Sequence, residues 1–377
     1  MADPIRVLHV IDKFSMDGVN PSSCSRLFAQ WIPLHNKEKF QVDVVGLRPK
    51  DASGAYLEQH GIKVYYIEEG KYSPKNINAI AEIARKGNYD ILHLHGYSSA
   101  NFGRLAGKKS GAKTIVHEHA VLKVLPHQYI IDWLLRNKGD VGLGVSKAVK
   151  EFMVKGRSVP SDAIDVIWNG IPIQEFTRID AGKVAQFRES LDVPNDAFLI
   201  GTVTRLREEK GNKYLLDAFA EIAKSNSNVY LVLVGDGPLK AELQQQAHTL
   251  NVAARIRFTG FVADIPVALG ALDLVVIPSL REGFGLALVE AMAAGKPIVA
   301  SYVGGMRELA ENERNALMTP PADVSALVQA INRLINDVPF RTKISAQARK
   351  DAEQYSIEKN VEKLEELYTR MTNGRKE

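Results

Sequence analysis

Short apolar runs alternate with stretches of helical period along almost the whole chain. In the first half, residues 5–11, 41–46, 64–67, 91–94, 114–117, 141–145 and 164–168 read as strands. Helical periodicity lies between them, as at 22–31, 77–84, 100–108 and 147–153. The alternation restarts in the second half, with strands at 198–204, 229–234, 256–259, 274–277 and 298–300. Helices are predicted there at 213–223, 238–248, 265–269, 286–293, 324–332 and 341–353. Strands separated by helices predict parallel sheets with helices on both faces, an α/β fold.

The turn Asn169-Gly-Ile-Pro172 interrupts the pattern and predicts two domains, 1–172 and 173–355. A last helix, 357–371, follows a break at Tyr355-Ser356, after the second domain is complete. The segment 356–377 is expected to pack back on the first domain. Both halves read as doubly wound sheets, whose ligands bind beyond the C-terminal ends of the strands.

The most informative stretch is Glu282-Gly-Phe-Gly-Leu-Ala-Leu-Val-Glu290, which follows the apolar run Asp273-Leu-Val-Val-Ile-Pro278. Strand, glycine-rich turn and helix succeed one another here. The backbone N–H groups of Gly283, Phe284, Gly285 and Leu286 then stand at a helix start, where an anion is favoured. Glu290 falls about 6 Å along that helix, at roughly 1.5 Å per residue.

Other strand ends carry comparable chemistry. The strand at 198–204 runs into Arg205, Lys210 and Gly211. An arginine can fork onto two phosphate oxygens, and a lysine supplies a point charge. Two further glycine turns, Gly235-Asp236-Gly237 and Gly260-Phe261-Val262, follow the next strands. In the first half, Asp17-Gly18-Val19-Asn20 follows strand one and is a short phosphate-loop candidate. It lacks the G-x-G-x-x-G fingerprint, which argues against a dinucleotide enzyme. Two histidine pairs, His93 with His95 and His117 with His119, end strands. Strand alternation puts His117 and His119 on one face, with Glu118 opposite. Such a pair could bind zinc or simply stand at a strand end.

Composition narrows the picture. No apolar stretch is long enough to span a bilayer, and the start has no basic n-region, so no signal peptide is expected. Cys24 is the sole cysteine and can form no internal disulfide. Both point to the cytoplasm. Residues 1–177 hold 23 Lys+Arg and 18 Asp+Glu, against 25 and 26 in the remainder. The basic excess, including Lys108, Lys109, Lys113, Arg136 and Lys138, suits either a solvated surface or an anionic acceptor or membrane surface. The latter would set the protein peripherally at the inner face of a membrane. No long basic run or known module suggests nucleic acid.

Taken together, the motifs resemble those of retaining glycosyltransferases of family 4, the group 1 glycosyl transferases. The carriers are Gly201-Thr-Val-Thr-Arg205, Lys210-Gly211, Val234-Gly-Asp-Gly-Pro238, Phe258-Thr-Gly-Phe-Val262, Glu282-Gly-Phe-Gly285 with Glu290, Ala293-Ala-Gly-Lys-Pro-Ile-Val-Ala300, and Gly304-Gly305 with Glu308. The resemblance covers essentially the whole chain. It implies a GT-B fold, two facing Rossmann-like domains with a cleft between them. It implies a nucleoside-diphosphate sugar as co-substrate, a UDP-sugar first and a GDP-sugar next, with a glycan, lipid-linked or small-molecule hydroxyl acceptor. No cofactor or metal is implied.

By the same resemblance, Arg205 and Lys210 neutralise the donor diphosphate, Glu290 holds the ribose hydroxyls, and Glu282 holds the transferred sugar. The Gly283–Leu286 turn lies near sugar and phosphate, and Gly235, with the Gly260–Val262 turn over the base, completes the donor side. His117 matches the family's first-domain histidine near the anomeric carbon, with His119 one pleat further on. Gly18 brings backbone to the diphosphate. The family's first loop has two adjacent glycines, whereas Val19 here narrows the approach on the acceptor side. Three rivals stand beside this reading. They are a GT-B epimerase or hydrolase, a metal-dependent hydrolase using His93, His95, His117 and His119, and a non-catalytic sugar-nucleotide binder.

Overall fold

The computed structural model describes residues 3–12, 23–70 and 72–373. The chain divides into two units, one comprising the described residues up to Gly170 with the helix from Ile357 onward, the other Ile171–Ser356.

The first unit is built on seven parallel strands: β1 Ile5–Ile11, β2 Phe40–Gly46, β3 Val64–Tyr66, β4 Ile91–His95, β5 Lys113–Glu118, β6 Val141–Gly144 and β7 Ile164–Val166. Their order is β3-β2-β1-β4-β5-β6-β7. The direction of winding reverses between β1 and β4, the switch point of a doubly wound sheet. Strands covered on both faces need apolar residues at successive positions, and Val7, Leu8, Val10, Ile91, Leu92 and Leu94 are all fully buried.

The last helix, Ile357–Thr372, belongs to this unit. Its stripe Ile357, Val361, Leu364 and Tyr368 has helical spacing and joins the core of Val7, Ile91, Ile115 and Leu143. Burying each such side chain contributes about 1.5–3 kcal/mol, which explains why a segment so distant in sequence returns here.

The second unit holds β8 Phe198–Val203, β9 Val229–Val234, β10 Ile256–Gly260, β11 Leu274–Ile277, β12 Ile298–Ser301 and β13 Leu317–Thr319. Their order, β10-β9-β8-β11-β12-β13, repeats the winding of the first unit, with the switch point between β8 and β11. One core runs from Leu215 and Phe219 through Leu231, Leu274 and Val276 to Ile331 and Ile344.

The structure departs from the sequence expectation in several elements. The edge strand β13 was not predicted, nor were the helices Ala52–Gln59, Pro126–Leu135 and Ala181–Ser190. The helix expected from residue 238 starts at Lys240, because the Gly237-Pro238 turn is held in the loop by Leu239 N–H donating to Leu206 O at 3.1 Å. His93 and His117 lie inside β4 and β5 rather than at their ends.

Candidate active site

The loops at the C-terminal ends of β8, β9, β10 and β11 are bound to one another. Gly235 N–H donates to Gly260 O at 2.9 Å, and Leu206 N–H to Asp236 O at 3.0 Å. Leu280 N–H donates to Glu209 O at 2.8 Å, across the switch point. Glycine is required at several of these crossings. Gly235 has φ +137°, and a Cβ there would lie 2.0 Å from Thr204 O. Gly211, at φ +66°, would put a Cβ 2.0 Å from Pro278 O. These glycines let backbones touch where side chains would separate them.

The charged groups sit on this frame. The strand β8 leads to half-buried Arg205, whose guanidinium has no hydrogen-bond or ion-pair partner among the described residues. A short 3₁₀ turn, Glu208–Lys210, then presents Lys210. Its Nζ lies 2.5 Å from Glu282 Oε1, with side-chain exposures of 21% and 15%. A cation from the loop after β8 and an anion from the loop after β11 thus meet over the switch point. Nothing in the sequence pairs them, since 72 positions separate them.

The turn after Glu282 is held from below. A Cβ on Gly304 would lie 1.8 Å from Glu282 O, and one on Gly305 2.4 Å from Gly283 O. Gly304 and Gly305, noted in the sequence but given no role, therefore seat the Glu282–Phe284 backbone. Phe284 is buried and meets Tyr355 edge-on at 6.0 Å. Gly285, at φ +109°, ends the turn, and the helix Leu286–Ala293 begins. Leu288 N–H and Val289 N–H both donate to Gly285 O. The N–H groups of Leu286 and Ala287 make no hydrogen bond among the described residues. Ala287 is an addition to the set expected from sequence. Glu290 is half-buried in the second turn of this helix.

At the far side of the frame, Gly260 adopts φ +71° and Phe261 is 47% exposed. Lys240, not singled out in the sequence, brings its Nζ within 3.7 Å of where a Gly260 Cβ would lie. Gly18 lies outside the described residues.

In the first unit, one face of the sheet carries five histidines: His9, His93, His95, His117 and His119. Register places His9 beside His93 and His95 beside His117. The pleat alternation expected for His117 and His119 is present, and Glu118 on the other face bonds Arg157 at 2.7 Å. Burial depresses the basicity of all five rings, to about 3 for His9 and about 4 for His119. They are therefore neutral imidazoles at physiological pH. Ring nitrogens of His95, His117 and His119 lie within 4.8 Å of one another, as do those of His9, His93 and His95. Several of these nitrogens are already engaged, as with His95 Nδ1 and His119 Nε2 at 2.8 Å. Such a lone pair serves either a ring N–H or a metal ion, not both.

The glycosyl transferases group 1 model matches residues 183–351, and the glycosyltransferase family 4 model matches residues 34–175. An uncharacterized glycosyltransferase of Methanocaldococcus jannaschii is 30% identical over 305 residues, covering 74% of this chain and 75% of its own. The Escherichia coli UDP-Gal:alpha-D-GlcNAc-diphosphoundecaprenol alpha-1,3-galactosyltransferase is 28% identical, covering 79% of each chain. The crystal structure of Anabaena HepE in complex with UDP superposes with a TM-score of 0.85 at 25% identity, covering 97% of this chain and 100% of HepE. With two Rossmann-like sheets of one winding order and these relatives, the chain has the GT-B fold and belongs to the family 4, group 1 glycosyltransferases.

Proposed function

We propose that this glycosyltransferase moves a hexosyl group from a UDP-sugar to a hydroxyl acceptor in glycan or glycolipid assembly, with retention of anomeric configuration and without a metal ion. The observation that carries the proposal is the Lys210–Glu282 pair over the β8/β11 switch point, beside Arg205 and the open N–H groups of Leu286 and Ala287. Two cations and a helix start form a field for a diphosphate. The UDP in HepE and the UDP-galactose named for the E. coli relative support the choice of donor.

The chemistry follows from charge. Breaking the bond between sugar and diphosphate develops negative charge on the leaving phosphate, and Arg205, Lys210 and the two N–H groups stabilise it. On binding, Lys210 turns from Glu282 to phosphate, and Glu282 is released to accept from sugar hydroxyls. Glu290, one turn into the helix, receives the ribose diol, and the Gly260–Val262 turn covers the base. The acceptor hydroxyl attacks the same face, and its proton passes to the departing phosphate. Positive side chains supply the field that a divalent ion would otherwise provide. Transfer from a UDP-sugar should therefore persist after exhaustive EDTA treatment. Activity lost to EDTA and restored by one divalent ion would overturn this.

The first unit also presents a surface suited to a lipid-linked acceptor. In the helix Pro126–Leu135 the usual amphipathy is inverted: Asp132 is buried, while Tyr129, Ile130, Ile131, Trp133 and Leu134 are 39–60% exposed. Leu122 and Leu125 extend the patch, and Lys123, Arg136 and Lys138 flank it. Apolar side chains beside basic ones match the interface of an anionic bilayer. No helix among the described residues is long and apolar enough to cross a membrane. We expect co-sedimentation with phosphatidylglycerol vesicles, weakened about tenfold by Ile130→Ser with Trp133→Ser. Equal binding by the variant would remove this surface from the account.

A further inference from the structure

Five histidines of the first unit and Tyr368 of the last helix form a linear series of contacts. His117 Nδ1 lies 3.0 Å from His93 Nε2, and His93 Nδ1 lies 2.8 Å from Tyr368 Oη. Tyr368 Oη is 3.4 Å from His9 Nε2. His9 Nδ1 is 2.8 Å from His95 Nε2, and His95 Nδ1 is 2.8 Å from His119 Nε2. Each interior ring uses one nitrogen toward each neighbour. One end of the series is His117 Nε2, which is buried and without a partner among the described residues. The other is Nδ1 of the partly buried His119.

A neutral imidazole carries one proton, so one nitrogen donates and the other accepts. Tyr368 has one O–H to donate and lone pairs to accept. These rules leave only two arrangements that satisfy every link and also give the Tyr368 O–H an acceptor. In one, His119, His95 and His9 each donate from Nε2 toward Tyr368. Tyr368 then donates to His93, His93 donates to His117 from Nε2, and His117 Nε2–H points outward. In the other, every bond is reversed. All five rings are thus Nε2–H together or Nδ1–H together. A mixture leaves two facing lone pairs, two facing protons, or a Tyr368 O–H that accepts from both branches and has no acceptor of its own, each at the cost of a buried unsatisfied group.

We propose that His9, His93, His95, His117, His119 and Tyr368 form a single directional proton relay, with Tyr368 as the positioning residue that joins its two branches. The relay fixes whether His117 Nε2 donates or accepts and links that choice to His119. From the Nδ1–H state, a proton delivered to His117 Nε2 by a protonated water moves each bonded proton one link along. His117 Nδ1–H passes to His93, His93 Nδ1–H to Tyr368, and Tyr368 O–H to His9. His9 Nδ1–H passes to His95, and His95 Nδ1–H to His119, whose Nδ1–H proton leaves to water. Every ring ends neutral, with its proton on Nε2. Low basicity of the rings keeps the chain uncharged between transfers. The consequence for catalysis rests on reading His117 as a substrate-facing group; the relay itself does not.

Long-range proton–nitrogen NMR of the full, substrate-free chain with ¹⁵N-labelled histidine reads each tautomer directly. The five rings should share one tautomer. Tyr368→Phe should give His93 and His117 tautomer-averaged nitrogen shifts and lower kcat more than it changes donor KM. A mixed set of tautomers in the unaltered chain, or unchanged single-tautomer shifts of His93 and His117 in Tyr368→Phe, would overturn the proposal. So would a stoichiometric zinc ion held by these rings in the purified protein. If Tyr368→Phe does not fold, the spectrum of the unaltered chain still decides. Because no substrate is present, failure of the transferase reading and failure of the relay are separate results.

Discussion

Glu282→Ala should lower turnover with a UDP-sugar by about 10²–10³-fold, the scale of losing one preorganised group in a closed site, while UDP itself binds no more weakly. The reason is the pair seen in the structure. Glu282 holds Lys210 at 2.5 Å in the free protein, so its removal leaves the cation available to the diphosphate. Its lost partner on the ligand side is the sugar, which UDP lacks. Glu290→Ala should behave in the opposite way. It should weaken UDP and UDP-sugar alike by about tenfold or more, the cost of a hydrogen bond to a charged group. Calorimetry with UDP on both variants, beside kinetics with the sugar nucleotide, separates the two roles. Equal loss of UDP affinity in both variants would refute the assignment of one carboxylate to sugar and the other to ribose.

Arg157→Leu should destabilise the first unit by about 3–5 kcal/mol, the cost of breaking a buried ion pair from one side. Arg157 is buried and reaches two buried carboxylates, Glu118 at 2.7 Å and Asp132 at 3.1 Å; Arg104 lies 3.7 Å from Asp132. Burial lowers the basicity of Arg157, but Glu118 and Asp132 outweigh it and raise it overall. Burial pushes the Asp132 carboxyl up, against the pull of Arg157 and Arg104. Both rise, which favours the charged form of Arg157 and disfavours that of Asp132, because Arg157 answers two carboxylates at hydrogen-bond distance whereas Asp132 has only one such cation. Leucine removes the cation and leaves both anions in the core. Denaturant unfolding of the first unit, with Glu118→Gln and Asp132→Asn added to Arg157→Leu, gives the control: neutralising the orphaned carboxylates should recover part of the loss. A loss below about 1 kcal/mol would place this cluster among ordinary surface pairs.

The sequence disclosed those parts of the fold whose signal is local. The strand at 5–11 and those at 229–234 and 274–277 match β1, β9 and β11 residue for residue, because continuous apolar runs flanked by turns are short-range patterns. The strand β13 is only Leu317-Met-Thr319, too short to carry a period. The helix Pro126–Leu135 escaped because its apolar residues face outward and its one inward residue is a carboxylate. The glycine turns of the second unit were legible for a similar reason, as each follows a strand directly. What the residues around them do is set by contacts across the sheet. Lys210 and Glu282 meet only because β8 and β11 are neighbours at the switch point. His9 and Tyr368 stand at opposite ends of the chain, 359 positions apart, and the histidines read as two strand-end pairs until the last helix is folded onto β1 and β4. The loop holding Gly18 lies outside the described residues.

By the proposed function, this site breaks a sugar–diphosphate bond and remakes it on the same face. The most direct measurement is NMR of the first-formed product from an α-linked UDP-sugar and a hydroxyl acceptor, taken in EDTA before any anomeric exchange. An α-linked product is expected. A β-linked product would contradict it.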